Sequence, residues 1–144
     1  MLAFVAIWVT YKHVFAHRNQ RGLPWLDLTN VVGPLVFPHA TTRELPGPKT
    51  FALYLRIHKA TRRVPPPDFK HGIVLVVAVG PRSSTRYSLQ ILRVTEQRSR
   101  VVVKLEENGP TLRNPGRVRI IYPYRMITFP KTHKPTFVTI QGRP

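Results

Sequence analysis

A short apolar run between two glycines constrains the fold of this chain most strongly. Residues 73–79 are seven consecutive apolar residues, most of them β-branched. The run is too short for an ordinary helix, and branched side chains favour a pleated strand, here one that is apolar on both faces. Residues 65–67 are prolines, which keep the preceding chain extended, and Gly80 begins a turn after the run. The sequence therefore predicts a central strand with Val76 buried in the middle of a sheet.

The composition indicates one small, strongly basic domain. A chain of 144 residues fits one domain with or without an appendage, and 15 prolines and 8 glycines favour many short strands. Lys and Arg number 23 against 6 Asp and Glu, a formal net charge of +17, so the expected partners are polyanions, an anionic membrane surface or an acidic protein. Cysteine is absent, which excludes disulfides, a thiol nucleophile and a lipid-attachment cysteine.

Residues 1–22 are predicted to be an apolar N-terminal segment followed by a basic linker. Residues 1–9 are apolar throughout. The run is shorter than the roughly 20 apolar residues that span a bilayer, and no positive charge precedes it as in a signal peptide. Three interpretations remain: the tail of a membrane anchor that begins upstream, an interfacial helix, or an ordinary terminal helix. We expect an extracytoplasmic or membrane-associated location and leave a cytoplasmic one open.

Residues 23–68 are predicted to hold short edge strands and one helix that lead into the main domain. The apolar residues 31–32 and 35–37, on either side of a Gly-Pro pair, suggest edge strands that stop at a proline. A helix is expected over residues 50–60, with Thr50 as its N-cap. Its apolar face is formed by positions spaced i, i+3, i+4 and i+7. These positions are Phe51, Tyr54, Leu55 and His58.

Residues 69–144 are predicted to form a β domain around the central strand. Alternating apolar and polar residues indicate half-buried strands over residues 87–91, 101–105 and 117–120, and two shorter strands are expected over 124–129 and 136–140. The connections have hairpin length and contain turn residues. We therefore predict an α+β fold, mainly an antiparallel β-sandwich or a partly open barrel, with one packed helix.

No combination of residues predicts catalysis, a metal site or a cofactor. Glu106 and Glu107 are adjacent in a strand and point to opposite faces, so they do not form a catalytic pair. Asp68 precedes the central strand and is expected to accept hydrogen bonds from nearby backbone amides. His13 and His17 have i, i+4 spacing but no further ligand nearby, which favours a solvated or interfacial pair over a metal site. We expect a non-enzymatic protein.

Four arginines form a candidate contact surface for a polyanion or a partner. Arg82 and Arg86 follow the central strand, and Arg117 and Arg119 share one face of a later strand, opposite Val118 and Ile120. Such a face can meet phosphates or carboxylates. The alternative is a solvated basic surface that limits edge-to-edge aggregation.

Five short motifs follow one another over about residues 65–140. They are Pro67-Asp68-Phe69, the apolar strand before Gly80, Tyr87-Ser88-Leu89-Gln90-Ile91, Val101-Val102-Val103, and Tyr122-Pro123-Tyr124 with the residues up to Pro130. In their order and spacing, these motifs resemble the C-terminal domain of the protease-complex subunit PrcB family. Arg86 stands where the family usually has a glycine, so we expect the first hairpin to be built differently.

The resemblance implies a non-catalytic accessory subunit that binds and stabilises a surface protease. Structural roles are expected for Asp68, Gly80 and Tyr87, and for Pro123, whose missing amide hydrogen should break a strand and place Tyr122 or Tyr124 against the core. The alternative is a basic OB-like module that binds nucleic acid. Most aromatic residues lie beside core positions rather than among the arginines, so we expect nucleic-acid binding to be weak and non-specific at most. Peripheral attachment to an anionic membrane surface is a third possibility, which is compatible with the accessory-subunit function.

Overall fold

The computed structural model describes residues 21–142, which form ten strands and two helices in three sheets. Strands in these residues are numbered β1 to β10 and helices α1 and α2. In chain order the elements are β1 (Arg21–Gly22), β2 (Leu26–Asp27), α1 (Thr29–Val32), β3 (Thr41–Leu45), α2 (Pro48–Ile57), β4 (Gly72–Ala78), β5 (Arg82–Ser84), β6 (Ser88–Glu96), β7 (Val101–Asn108), β8 (Val118–Ile121), β9 (Tyr124–Pro130) and β10 (Thr136–Gly142).

The three sheets are mainly antiparallel, as predicted. One four-stranded sheet has the order β2-β9-β4-β3 and the other has the order β1-β6-β7-β10. Only β10, which lies parallel to β7, departs from the antiparallel pattern among the described strands. Strands β5 and β8 form a separate two-stranded sheet. The described strands form open sheets rather than a closed barrel, and together with the two helices they make an α+β fold.

Strand β4 is the central strand that the sequence predicts. It pairs with β9 on one side and β3 on the other. Its alternate side chains enter two different hydrophobic cores, because neighbouring residues of a strand point to opposite faces. Leu75 and Val77 belong to the first core, and Val74 and Val76 belong to the second. Val76 is fully buried.

The first core lies between the two four-stranded sheets. Side chains of β4 and β9 meet side chains of β6 and β7, among them Leu89, Val103 and Leu105. In β7 every second residue from Val101 is buried, as the alternation predicts. A register shift between Ile91 and Arg93 interrupts the pairing of β6 with β7.

The second core lies on the other face of β4 and β9, under the helices. Phe51, Tyr54 and Leu55 of α2 are buried there, which confirms the predicted helix face. The predicted bounds of this helix are wrong at both ends. It ends at Ile57 rather than at residue 60, so His58, the last residue of the predicted face, is the C-cap. The helix begins at Pro48, two residues before Thr50, and its N-cap is Gly47 without a side-chain hydrogen bond. Proline suits the first helical position because it has no amide hydrogen to leave unpaired there.

The edge strands predicted over residues 31–32 and 35–37 are wrong. Residues 31–32 end the short helix α1, whose N-cap is Leu28 and whose Thr29 amide donates to Asp27 Oδ1 at 2.9 Å. Residues 35–37 are extended, but their partner is a loop rather than a strand. The Val36 amide donates to the His58 carbonyl at 2.9 Å, and His58 Nδ1 donates to the Val36 carbonyl at 2.8 Å. Tertiary hydrogen bonds therefore take the place of a strand ladder.

Four short strands lie where the sequence predicts none: β1, within the predicted linker, and β2, β3 and β5. β3 is a polar edge strand in which only Leu45 is buried, so it shows no alternating pattern, and pairing with β4 is what makes it a strand. β5 follows the central strand where only a turn is expected, and it is held by β8.

The predicted break at Pro123 is confirmed. β8 ends at Ile121 and β9 begins at Tyr124, so the proline lies in the gap between them, where its carbonyl accepts the Val79 amide at 3.3 Å. Tyr124 is buried and Tyr122 packs partly against the second core. Within residues 21–142 we find no helix with the length and apolar character needed to cross a bilayer. The N-terminal segment of residues 1–20 lies outside the described residues.

Substitution of Val76 tests the central position of β4. Val76→Ala removes two buried methyl groups and leaves a small cavity in the second core. We expect the free energy of unfolding to fall by roughly 1–3 kcal/mol in a urea titration. The control Val118→Ala removes the same atoms from a side chain that is 98% exposed. It should change the free energy of unfolding by less than about 0.5 kcal/mol. Equal effects of the two variants would contradict the assignment.

Candidate functional site

The paired strands β5 and β8, which we call the ribbon, bring the four predicted arginines into one region. Arg82 of β5 lies opposite Ile121 of β8, and the pairing is irregular between Arg82 and Ser84. Arg86 follows β5, Arg117 directly precedes β8, and Arg119 lies within it. The Thr85 amide donates to the Arg117 carbonyl at 3.1 Å, which continues the pairing beyond the strands.

The apolar face of β8 is exposed, contrary to the half-buried strand that the sequence predicts. Val118 is 98% exposed and Ile120 is 57% exposed. In the described chain β8 pairs with β5 alone, and neither Val118 nor Ile120 belongs to a core. The alternation of apolar and basic residues is therefore real, but no described layer covers the apolar face.

Arg82 is bound within the chain and anchors the ribbon to the neighbouring sheet. Its Nε and Nη2 donate to the two carboxylate oxygens of Glu107 at 2.7 and 3.0 Å, and Nη1 donates to the Pro81 carbonyl at 3.1 Å. Glu107 is buried, so this two-point ion pair satisfies a carboxylate that lies away from solvent. The hydrogen bond to Glu107 raises the pKa of Arg82. The structure thus gives Arg82 a structural contact, in contrast to the other three arginines.

The turn after β5 is held by side-chain hydrogen bonds instead of a left-handed residue at position 86. Ser84 Oγ donates to the Pro115 carbonyl at 2.7 Å, and Thr85 Oγ1 accepts the Arg117 amide at 3.0 Å. Gly116 adopts a φ of +71°, and a Cβ there would lie 2.5 Å from Arg86 Cγ. Gly116 therefore lets the stem of Arg86 cross the backbone closely.

A groove of about 760 Å³ runs from the ribbon to the loops that follow the two helices. Its lining includes Arg119, Ile120 and Tyr122 from β8 and the residues after it, and residues 33–36 and Lys59 from the loops after the helices. Four cationic side chains line it and no Asp or Glu does, so its potential is positive. These cations are Lys59, Arg62, Arg119 and Arg125.

Hydrogen bonds from β9 fix the loop that forms one wall of the groove. The buried hydroxyl of Tyr124 donates to the Gly33 carbonyl, and the Met126 amide donates to Thr29 Oγ1 at 2.9 Å. Burial raises the pKa of Tyr124, so its hydroxyl keeps its proton and remains a donor. Tyr124 therefore positions the wall, while Tyr87 and Tyr122 lie at the groove surface.

The four cations of the groove differ in what they already bind. Arg125 donates to Asp27 Oδ2 at 3.0 Å and to the Leu89 carbonyl, and Arg62 donates to the Asn30 carbonyl at 2.8 Å. The side chains of Lys59 and Arg119 have no hydrogen bond or ion pair within residues 21–142, and both residues are exposed. These two side chains are the ones that can contact a ligand without losing a partner.

A second basic pocket surrounds the buried carboxylate of Glu96. Arg21 Nη2 lies 2.8 Å from Glu96 Oε1 and Lys134 Nζ lies 3.0 Å from Oε2. Lys70, His71, Lys131 and His133 also line this pocket. Glu96 balances part of their charge, so we interpret the pocket as a structural ion-pair network.

Asp68 closes the turn before β4, as the sequence predicts for this residue. Its Oδ1 accepts the Lys70 amide and its Oδ2 accepts His71 Nδ1, both at 2.9 Å. The hydrogen bond from His71 lowers the pKa of Asp68. Gly80 adopts a φ of +85° beside the backbone of Ala40, which a side chain would crowd.

The described residues contain no group of three His, Cys, Asp or Glu side chains that could hold a metal. His13 and His17 lie outside the described residues. The site residues that sequence reasoning missed are Lys59 and Arg62. Both follow α2, which ends at Ile57, and no local pattern indicates that this end of the helix faces the ribbon.

Comparison with known proteins identifies the middle of the chain. Residues 73–130 match the model of the family described as PrcB C-terminal. This segment is therefore similar to the C-terminal domain of PrcB proteins. Neither the curated proteins nor the solved structures contain a match to the chain.

The PrcB segment coincides with a structural unit. It begins in β4 and ends with the last residue of β9, and these two strands are hydrogen-bonded neighbours. Inside the segment lie three two-stranded ladders, β4-β9, β6-β7 and β5-β8. Strands outside the segment extend the first two ladders on both sides: β2 and β3 flank β9 and β4, and β1 and β10 flank β6 and β7. The ribbon gains no such strand from the described residues.

The acid stability of the chain should depend on Glu96. Burial raises the pKa of Glu96. The hydrogen bond from Lys134 and the charges of Arg21 and Lys134 lower it, and together they outweigh burial, so the pKa lies below its usual 4.5. A carboxyl with a lowered folded pKa stabilises the fold above the unfolded value, and this stability is lost as the pH falls through the folded pKa.

We therefore expect the free energy of unfolding to decrease as the pH falls below 4.5. In Glu96→Gln this free energy should depend less steeply on pH. Denaturant titrations at several acidic pH values measure the slope of unfolding free energy against pH. The matched control is Glu44→Gln, at an exposed carboxylate of β3, which should keep the wild-type slope. An unchanged slope in Glu96→Gln would show that Glu96 is not involved.

Proposed function

We propose that the chain is a non-enzymatic accessory subunit of the PrcB kind, which binds a surface protease complex and stabilises it. The observation that carries the proposal is the uncovered apolar face of β8 within the PrcB segment. The proposed location is extracytoplasmic or membrane-associated, where such a complex would act.

The ribbon has the composition of a protein-binding surface. Val118 and Ile120 provide an apolar centre, and Leu112, in the loop before β8, is fully exposed as well. Arg117 and Arg119 alternate with the apolar residues and supply a polar rim. Protein interfaces commonly combine an apolar centre with a polar rim in which arginine is enriched.

The open edges of the ribbon support the same proposal. Unpaired strand edges expose backbone amides and carbonyls, which another chain can pair. In the other two ladders of the PrcB segment, strands of this chain pair with both outer edges. Within residues 21–142 no strand pairs with the outer edges of the ribbon. A partner that pairs with the ribbon would complete the third ladder in the same way. The shared first core also supports a sandwich-like packing of the two larger sheets.

A basic nucleic-acid-binding module is the second candidate. Tyr87 and Tyr122 line the same groove as Arg119, an arrangement that single-strand binders use for stacking. Tyr122, however, packs partly against the second core, and Arg82 lies over the Tyr87 ring at 5.9 Å. Both faces that would stack on bases are therefore partly covered, which favours the protein partner.

Capture from an extract of the native organism tests the proposed function. We expect the immobilised wild-type chain to retain a protease, identified by mass spectrometry, and the double variant Val118→Ser with Ile120→Ser to lose it. Both side chains are exposed, so each substitution should change stability by less than about 0.5 kcal/mol. Leu53→Ser is the matched control, because Leu53 is an exposed apolar residue of α2 away from the ribbon.

Equal retention by the ribbon variant and the wild type would contradict the proposal. A salt series with labelled single-stranded RNA and DNA separates the second candidate. Each phosphate contact should contribute a slope of about −0.7 to log affinity against log salt. Tight binding at physiological salt that is lost in Arg117→Glu with Arg119→Glu would favour the nucleic-acid module.

A further inference from the structure

The loop after α2 contains a residue in an unfavourable backbone conformation. Lys59 has a φ of +62°, the only positive φ at a non-glycine residue of the described chain. The Ala60 amide donates to the Leu55 carbonyl at 2.9 Å, and the Lys59 amide donates to the Arg56 carbonyl at 3.1 Å. This pattern is a Schellman motif, whose left-handed position glycine occupies without a steric penalty. A lysine here is less favourable for folding than a glycine would be.

The side chain of Lys59 lines the groove. Arg119 lines it as well, and within residues 21–142 neither side chain has a partner. Strained residues cluster at binding sites, because selection for a ligand contact can keep what folding alone would not favour. Two unpaired cations therefore face the same space, and one of them is kept at a position suited to glycine.

The chain itself has few free carboxylates that could pair with Lys59 and Arg119. Residues 1–20 contain no Asp or Glu. Of the six acidic residues, Asp27, Asp68, Glu96 and Glu107 are already in ion pairs within the fold. A second copy would also carry a net charge of +17 and be repelled. Charge complementarity therefore points to a different, acidic molecule.

We propose that the groove binds an extended acidic segment of a partner protein, with its carboxylates on Lys59 and Arg119 and its apolar side chains on Ile120 and the wall formed by residues 33–36. This inference depends on the proposed protein-binding function and adds the chemistry of the partner. The groove is continuous with the ribbon, since Arg119 and Ile120 belong to both. The mixture of cations and apolar residues suits a peptide of alternating acidic and apolar residues.

Fluorescence anisotropy with three labelled probes tests the proposal. The probes are a capped peptide of about eight residues in which glutamate alternates with leucine, the same peptide with glutamine, and an oligothymidylate of similar extended length. We expect the glutamate peptide to bind at least about fivefold more tightly than the glutamine peptide, because charged hydrogen bonds to the two cations are absent with glutamine.

Three variants locate the binding. Lys59→Gly and Arg119→Gln should each weaken binding of the glutamate peptide by about threefold to fivefold. Lys59→Gly should also raise the denaturation midpoint, since glycine relieves the left-handed position. This opposite effect on stability and binding is a result that a purely structural lysine would not give. Arg98→Gln removes the same charge from an exposed loop outside the groove and should leave the affinity within about twofold.

Other outcomes overturn the inference. Binding that is absent at about millimolar peptide, equal for the glutamate and glutamine peptides, or equally weakened by Arg98→Gln would exclude an acidic segment in the groove. Tighter binding of the oligothymidylate with the same dependence on Lys59 and Arg119 would assign the groove to nucleic acid. The absent, equal or unspecific peptide binding does not bear on protease capture through Val118 and Ile120, so failure of this inference is distinguishable from failure of the proposed function. Tighter oligothymidylate binding would count against both.

Discussion

Burial of β4 on both faces is the constraint on which the rest of the structure depends. A strand with apolar side chains on both faces must be covered twice, and here the β6-β7 side of one sheet covers one face while the helices cover the other. The two cores are joined through the backbone of β4 and its neighbour β9. The matched PrcB segment starts and ends in these two strands, so the family unit is closed around the same pair.

The sequence predicts those parts of the fold whose side-chain pattern reflects burial. The apolar run of β4, the alternation in β7, the buried face of α2 and the break at Pro123 all follow from local chemistry. The errors occur where tertiary contacts decide. Residues 31–32 become helical after the hydrogen bond from the Thr29 amide to Asp27, and β3 is a polar strand held by its pairing with β4. The parallel pairing of β10 with β7 depends on a long-range contact that no local pattern indicates.

The candidate site was predictable only in part. The sequence places Arg117 and Arg119 on one face of a strand, but the same alternation predicts that Val118 is buried. Val118 is exposed, because no layer formed by residues 21–142 packs against the ribbon. Arg82 is in the same region, yet its guanidinium is bound to Glu107, a pairing between residues 25 positions apart. Lys59 enters the groove through a loop that is brought there by packing of α2 on β4 and β9. The site thus consists of surfaces that the fold leaves uncovered.

Amide hydrogen exchange of the free chain tests the central claim most directly. If β4 is the strand shared by two cores, its amides and those of β9 should exchange only through global unfolding, with the slowest rates in the chain. The amides of β8 should exchange much faster. This strand is paired along one edge only, and its apolar side chains Val118 and Ile120 are exposed. Protection of β8 equal to that of β4 would contradict the account, since it would require a layer that covers the ribbon.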